Sequence, residues 1–326
     1  MNIFQRRRNR ETETKHRNEE WKMKIKKAAH IGMGAIGTVY GKLLHDRYGA
    51  DFAVIAGGER KEKLKANGIR FNGNVFYPQV LSPGEQSFPA DLVIVSVKND
   101  QLSKALEDMR SFVGEGTVIL PLLNGVTVRD RILSVFPDNR VFYGLSIYID
   151  AVRTANGVQN TVDGVIDFGD ADNTVSSPEV IAVKDFLAAA GIECEAPSDM
   201  IRTVWKKWML NVGCNQVSAI TGAPYGKMTG IETNGILFHE AMMEVVALAK
   251  ALRIDLTERD ALEYENLMST FSPLGKTSML QDVEAKRRTE VDYFAGTVVE
   301  LGRKYQVPTP VNHVLYCIIK SMEQLY

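Results

Sequence analysis

The chain has 326 residues, 45% apolar and 24% charged, with 39 Lys and Arg against 40 Asp and Glu. That length can bury a large core and suits two domains, which excludes a disulfide-stapled mini-protein and a disordered tail. A formal net charge of −1 supplies no overall basic field, so no nucleic-acid partner is expected and any anion must be held locally.

The three cysteines, Cys194, Cys214 and Cys317, are odd in number and unevenly spaced, which fits neither a disulfide framework nor paired zinc knuckles. His30, His45, His239 and His313 show no metal-ligand spacing either, so no metal is expected. The uncharged residues 208–225 include Asn211, Asn215, Gln216, Ser218 and Thr221, too polar for a spanning helix of about 20 apolar residues. These features predict a soluble, cytoplasmic protein with no membrane partner.

Residues 1–27 hold ten Lys or Arg and four Glu, so the remaining 299 carry −7. With no apolar run for a signal-peptide core and almost nothing to bury, this segment reads as a solvated, disordered basic extension, and Met23 reads as an alternative start. From Ala28 a short apolar strand to Ile31 leads into Gly32-Met33-Gly34-Ala35-Ile36-Gly37 and then a helix. Further apolar runs follow at Phe52 to Ala56, Leu92 to Val97 and Val118 to Leu122, separated by helical patterns such as Gln101 to Met109. Continuous apolar runs alternating with helices predict an α/β, Rossmann-type, doubly wound parallel sheet. Shorter β-prone pieces, Val158 to Val162 and Gly164 to Phe168, and an amphipathic helix, Pro178 to Ala190, close this first domain, assigned to 28–197.

Beyond it, 198–326 predicts an all-helical substrate and dimerisation domain. Ser198-Asp199 offers N-cap chemistry, and helical patterns cover Ile201 to Ile220, Thr229 to Leu252, Thr257 to Met268, Ser278 to Tyr305 and Pro310 to Met322. The helical half could supply the face of a homodimer.

Between a strand and a helix, Gly32 can make the tight turn and Gly34 can let backbone N–H groups approach a pyrophosphate. Gly37 permits close helix packing, and Met33, Ala35 and Ile36 complete the cofactor-binding turn. At the end of the second strand an acidic residue would accept a ribose 2′-hydroxyl and a basic one would meet a 2′-phosphate. The segment reads Gly57-Gly58-Glu59-Arg60-Lys61, in which Arg60 and Lys61 favour NADP while Glu59 keeps NAD open. An ordinary solvated helix start is the alternative.

Lys207, Asn211 and Asn215 recur at four-residue steps, within an arc of about 80° at 100° per residue. Such stripes usually face water, but here Trp205, Trp208, Met209, Leu210, Val212 and Val217 flank it, which suggests a wet cleft or a snorkelling lysine over two hydrogen-bonded amides. Partial desolvation or a nearby cation would make a lysine an effective proton donor. Leu123-Asn124-Gly125-Val126 and Val97-Lys98-Asn99 place amides and a cation at the carboxyl edge of the predicted sheet, where open α/β sheets bind ligands.

The glycine turn, Val97-Lys98, Leu123-Asn124-Gly125, Trp205-Lys206-Lys207 with Asn211 and Asn215, and Thr277-Ser278-Met279-Leu280-Gln281-Asp282 followed by Glu290 together resemble the ketopantoate reductase family from about Ala28 to the C-terminus. The resemblance implies NADPH-dependent reduction of a 2-oxo acid, 2-dehydropantoate, to pantoate, a step toward pantothenate and coenzyme A. It also implies Lys207 as general acid, Glu290 as the holder of the substrate hydroxyl, and Asn124, Asn211, Asn215 and Ser278 as substrate ligands. Asn124 would position cofactor and Lys207 as well, and Lys98 would lie beside the nicotinamide half. Family members often carry an arginine where Gly57 stands, which leaves the 2′-phosphate to Arg60 or Lys61. In one straight helix Ser278 and Glu290 would lie about 18 Å apart, so the segment breaks if both touch one substrate. A reductase of another 2-oxo acid on the same scaffold, or a non-catalytic dinucleotide-binding protein, are the other readings.

Overall fold

The computed structural model describes residues 24–84 and 88–326, so the basic extension expected at the N-terminus lies, but for its last few residues, outside the described residues. The chain forms two compact units. The first runs to Val97 and takes in Lys104–Leu122 and Phe136–Ser198; the second comprises Lys98–Ser103, Leu123–Val135 and Asp199–Tyr326.

In chain order the elements are β1 (Ala28–Ile31), α1 (Ala35–Tyr48), β2 (Phe52–Ile55), α2 (Gly58–Asn67), β3 (Ile69–Phe71), β4 (Asn74–Phe76), β5 (Gln79–Leu81), β6 (Ala90–Val95), α3 (Leu102–Asp108), β7 (Val113–Pro121), α4 (Val128–Leu133), β8 (Arg140–Val141), β9 (Tyr143–Ile147), β10 (Val152–Thr154), β11 (Gly157–Gln159), β12 (Val165–Gly169), α5 (Pro178–Ala189) and β13 (Cys194–Glu195). The main sheet of the first unit is parallel throughout, in the order β5-β2-β1-β6-β7-β8. Every residue of β1 and β2 is buried, as expected of strands covered on both faces. The chain winds outward from β1 through β2 to β5, then returns to β6 and continues to β8, so the order reverses between β1 and β6. This is the doubly wound, Rossmann-type arrangement, and the reversal is where such sheets take ligands. The β-prone pieces after Asp150 join two smaller sheets, β10-β11-β3-β4 and β13-β12-β9. In α5 the Ser177 hydroxyl accepts the Val180 N–H and Pro178 occupies the first turn, a conventional helix start.

The second unit is helical. α6 (Met200–Leu210) continues through a π-helical stretch, Asn211–Asn215, into α7 (Gln216–Thr221), followed by α8 (Tyr225–Met228), α9 (Glu232–Ala251), α10 (Glu258–Met268), α11 (Ser278–Glu284), α12 (Ala295–Tyr305) and α13 (Pro310–Glu323). The expected N-cap is made by Asp199, whose carboxylate accepts the Arg202 N–H at 2.9 Å. Trp208, Phe238, Met242, Phe294 and Val298 belong to one buried core.

One expected helix starts late and another is divided. The pattern from Thr229 starts as a regular helix only at Glu232, after Ile231 adopts an extended conformation. The expected helix from Ser278 to Tyr305 ends at Glu284: Lys286 takes φ 51°, the following arginines are exposed, and the chain re-enters regular structure as a 3-10 turn over Val291–Tyr293 before α12. The charged run 284–288 is exposed throughout and offers nothing for a helix to bury, so propensity alone does not carry the helix across.

Candidate active site

In the first unit the three glycines have separable roles. Gly32 adopts φ 105°, and a Cβ there would meet the Ser96 and Val97 backbone at 2.6 Å. At Gly37 a Cβ would lie 1.9 Å from the Gly32 carbonyl oxygen, so α1 can rest on the turn only without a side chain. A Cβ at Gly34 would meet nothing within 4 Å, and no side chain caps the N-terminus of α1 there. The arrangement is an open anion cradle of backbone N–H groups at a helix N-terminus, which fits a dinucleotide pyrophosphate. Met33, by contrast, turns inward against Gly41 and is buried.

Beneath the turn, Ser96 at the end of β6 donates its hydroxyl to the Gly32 carbonyl at 2.6 Å, and the wholly buried His30 lies 2.7 Å from the same hydroxyl. Since Ser96 spends its proton on Gly32, His30 Nε2 is the donor to Ser96. Its Nδ1 is buried without a partner among the described residues, which suits a neutral ring, and burial pushes the imidazole down to about 3.

At the end of β2, Gly57 and Gly58 start α2 with no side-chain cap. Arg60 Nη2 lies 3.5 Å from the Met33 carbonyl oxygen of the glycine turn. Desolvation, and then the positive charge of Arg153, holds its guanidinium below the ordinary value. Lys61 instead is buried and donates to the Ser82 hydroxyl at 2.7 Å, and Glu59 is exposed and paired with Lys63.

The remaining candidates lie in the second unit. Lys207 is half-buried on α6, and its carbonyl accepts the Asn211 N–H. The i→i+5 turns of the π stretch rotate less per residue than an α-helix, so Lys207, Asn211 and Asn215 align more closely than the 80° arc of a regular helix. Asn215 Nδ2 donates to Asn211 Oδ1 at 3.1 Å, while Asn215 Oδ1 accepts from the Ser278 hydroxyl at 3.0 Å and the Met279 N–H at 3.2 Å. Asn215 thus ties the π stretch to the first turn of α11, with both ends of its amide engaged. Asn211 is half-buried and keeps its own NH2 without a donor bond among the described residues.

Glu290 accepts the amide of Asn99 at Oε1 and that of Asn124 at Oε2, each at 3.0 Å. The Trp208 indole, next to Lys207, donates to the Tyr293 carbonyl at 3.0 Å, which anchors α6 to the turn that follows Glu290. Lys98, expected beside the cofactor, has its ammonium on both oxygens of the buried Asp282 carboxylate, at 2.9 and 2.8 Å, and Arg287 takes the same carboxylate at 2.8 Å. Among the described residues no three His, Cys, Asp or Glu cluster as a metal site, and no helix is long and apolar enough to cross a membrane.

The family model described as ketopantoate reductase PanE/ApbA matches residues 29–173, and its C-terminal counterpart matches 199–323. The chain belongs to the ketopantoate reductase family. It is an oxidoreductase of that family. A 2-dehydropantoate 2-reductase of Aquifex aeolicus is 25% identical over 299 residues, 90% of this chain and 96% of that protein. The crystal structure of a PanE/ApbA family ketopantoate reductase from Ralstonia eutropha JMP134 aligns with a TM-score of 0.79 at 26% identity, covering 92% of this chain and 99% of that one. D-mandelate dehydrogenase with NADH and anilino(oxo)acetate shares the fold, with a TM-score of 0.82 at 23% identity over 91% of this chain and 99% of its own.

Within this ketopantoate reductase family member, sequence patterning overlooked Ser96, His30 and Arg131. Ser96 and His30 had one signal each, a small hydroxyl at a strand end and a polar residue inside an apolar strand. Arg131 had none beyond its place in the short helix after Asn124.

Proposed function

We propose that the protein reduces the carbonyl of 2-dehydropantoate to the alcohol of pantoate with NADPH as cofactor. What supports this reading most is the fixed Glu290 carboxylate, held by two amides on a turn that Trp208 ties to the helix of Lys207. When bound, the dinucleotide supplies the hydride that adds to the carbonyl carbon. The turn Gly32, Met33, Gly34, Ala35, Ile36 and Gly37 holds its pyrophosphate, and Arg60 with the uncapped start of α2 meets the 2′-phosphate.

In the second unit Lys207 gives a proton to the carbonyl oxygen as negative charge develops, so that one hydride and one proton complete the CH–OH group. Glu290 accepts a hydrogen bond from the substrate hydroxyl with lone pairs that Asn99 and Asn124 leave unused. The NH2 of Asn211 donates to the substrate carboxylate, and Asn215 and Ser278 hold Asn211 in place. Lys98, occupied by Asp282, shapes this edge of the site rather than meeting the nicotinamide half in its present position.

Steady-state oxidation of NADPH tests the reading. A kcat/KM for 2-dehydropantoate no higher than for generic 2-oxo acids sinks the substrate assignment, and a Lys207→Ala variant with wild-type kcat removes the proposed acid. Reduction of another 2-oxo acid is the second reading, since D-mandelate dehydrogenase shares the fold and specificity rests on few pocket residues. A panel of aliphatic and aromatic 2-oxo acids separates the two by kcat/KM.

A further inference from the structure

We propose that Arg131 and Asn99 are positioning residues for the Glu290 carboxylate. The proposal rests on the reading that Glu290 touches substrate.

Asn99 is wholly buried at the first position of the 3-10 turn Asn99–Gln101. Its side-chain Nδ2 serves two acceptors, the Asn124 carbonyl at 2.7 Å and Glu290 Oε1 at 3.0 Å. The two protons of one NH2 are thereby spent on the Asn124 backbone and the Glu290 carboxylate. Both partners are acceptors, so a flip of the amide would set Oδ1 against the Asn124 carbonyl and the Glu290 carboxylate together.

Arg131 locks this orientation. From α4 its fork reaches Asn99 twice, Nη1 to Oδ1 at 3.2 Å and Nη2 to the backbone oxygen at 3.1 Å. A guanidinium has donors only, so it can accommodate the oxygen end of the amide and not the NH2 end. The guanidinium carbon also lies 5.3 Å from the centre of the Tyr293 ring, whose carbonyl takes the Trp208 indole. Arg131 is therefore braced by the turn after Glu290 while it orients the amide that fixes Glu290. Cation, amide and carboxylate form a polarised chain in which each hydrogen bond strengthens the next. The lone pairs of Glu290 left for substrate then point in one direction.

The test is a double-mutant cycle on kcat/KM, with the dissociation constant for NADPH and the unfolding midpoint measured for each variant. Arg131→Gln, which loses the fork, is expected to lower kcat/KM by ~10- to 100-fold, the scale of a small misplacement of a reacting partner. Arg131→Lys, with a single donor nitrogen in place of the two-nitrogen fork, recovers part of the loss. NADPH affinity stays unchanged, because Arg131 makes none of the contacts proposed for the glycine turn and Arg60, which belong to the first unit. Added to Glu290→Gln, Arg131→Gln costs less than twofold more, since the group it positions is already gone. A full, additive loss in that background overturns the proposal, as does a loss of activity matched by lost NADPH binding or a lowered midpoint. If Glu290→Gln itself keeps wild-type kcat/KM, the role given to Glu290 fails; if Glu290→Gln is impaired while Arg131→Gln and Asn99→Ala are not, only the positioning fails.

Discussion

Asn99 and Glu290 are 191 residues apart in the chain, yet the amide of one meets the carboxylate of the other at 3.0 Å. One residue earlier Lys98 meets Asp282. Two neighbouring residues of the 98–103 segment are thus fastened to two carboxylates of the 278–290 segment, and Lys98–Ser103 belongs to the helical unit.

The two pins differ in what they tolerate. The Lys98 side chain is 44% exposed and Asp282 only 9%, with Arg287 as a second cation. Lys98→Met is expected to change the unfolding free energy by less than ~1 kcal/mol, because Arg287 still neutralises the carboxylate. Replacing both cations strands a buried charge and is expected to cost about 3–5 kcal/mol. Guanidinium denaturation of the two single variants and the double variant checks this, and additive small losses would contradict it.

Gly34 and Gly37 should respond oppositely to the same methyl group. Gly34→Ala meets no protein atom and has φ −79°, so its unfolding free energy should stay within about 0.5 kcal/mol of wild type while NADPH affinity falls by an order of magnitude or more. Gly37→Ala drives a methyl into the Gly32 carbonyl, so both stability and cofactor binding should fall. Calorimetric unfolding together with NADPH fluorescence titration distinguishes the two.

Arg60 sits at the glycine turn without a carboxylate partner among the described residues. Arg60→Ala is expected to lower the preference for NADPH over NADH by about 10- to 100-fold, the worth of one charge-assisted hydrogen bond. Ratios of kcat/KM for the two cofactors measure it; an unchanged ratio would move the 2′-phosphate contact elsewhere.

His30 sets an acid limit on stability. Its folded value, about 3, lies below the ordinary 6.5, so between those values the unfolded chain binds the extra proton. Its contribution is fully present above pH 6.5 and is lost as pH falls, at up to about 1.4 kcal/mol per pH unit. Urea midpoints at pH 7 and pH 5 should show this slope in wild type and a shallower one in His30→Gln. Equal slopes would mean that the buried ring is not the source.

Much of the fold was legible in the sequence because short-range physics governs it. The run Ala28 to Ile31 ahead of a glycine turn reads as a buried strand, and Gly32 and Gly37 are glycines for reasons of local space that spacing already suggests. Asp199 caps α6 because a carboxylate before an apolar-periodic segment satisfies N–H groups that the helix cannot. The break after Glu284 was legible only as a conflict, since a continuous helix separates Ser278 from Glu290 by too great a distance. Which side chains meet was decided by tertiary structure. The tie of Asn215 in the π stretch to Ser278, the choice of Arg60 over Lys61 at the turn, and the locking of Asn99 by Arg131 all depend on partners tens of residues away. Periodicity reports which face of an element is buried; the direction of a hydrogen bond belongs to whatever the completed fold brings opposite it.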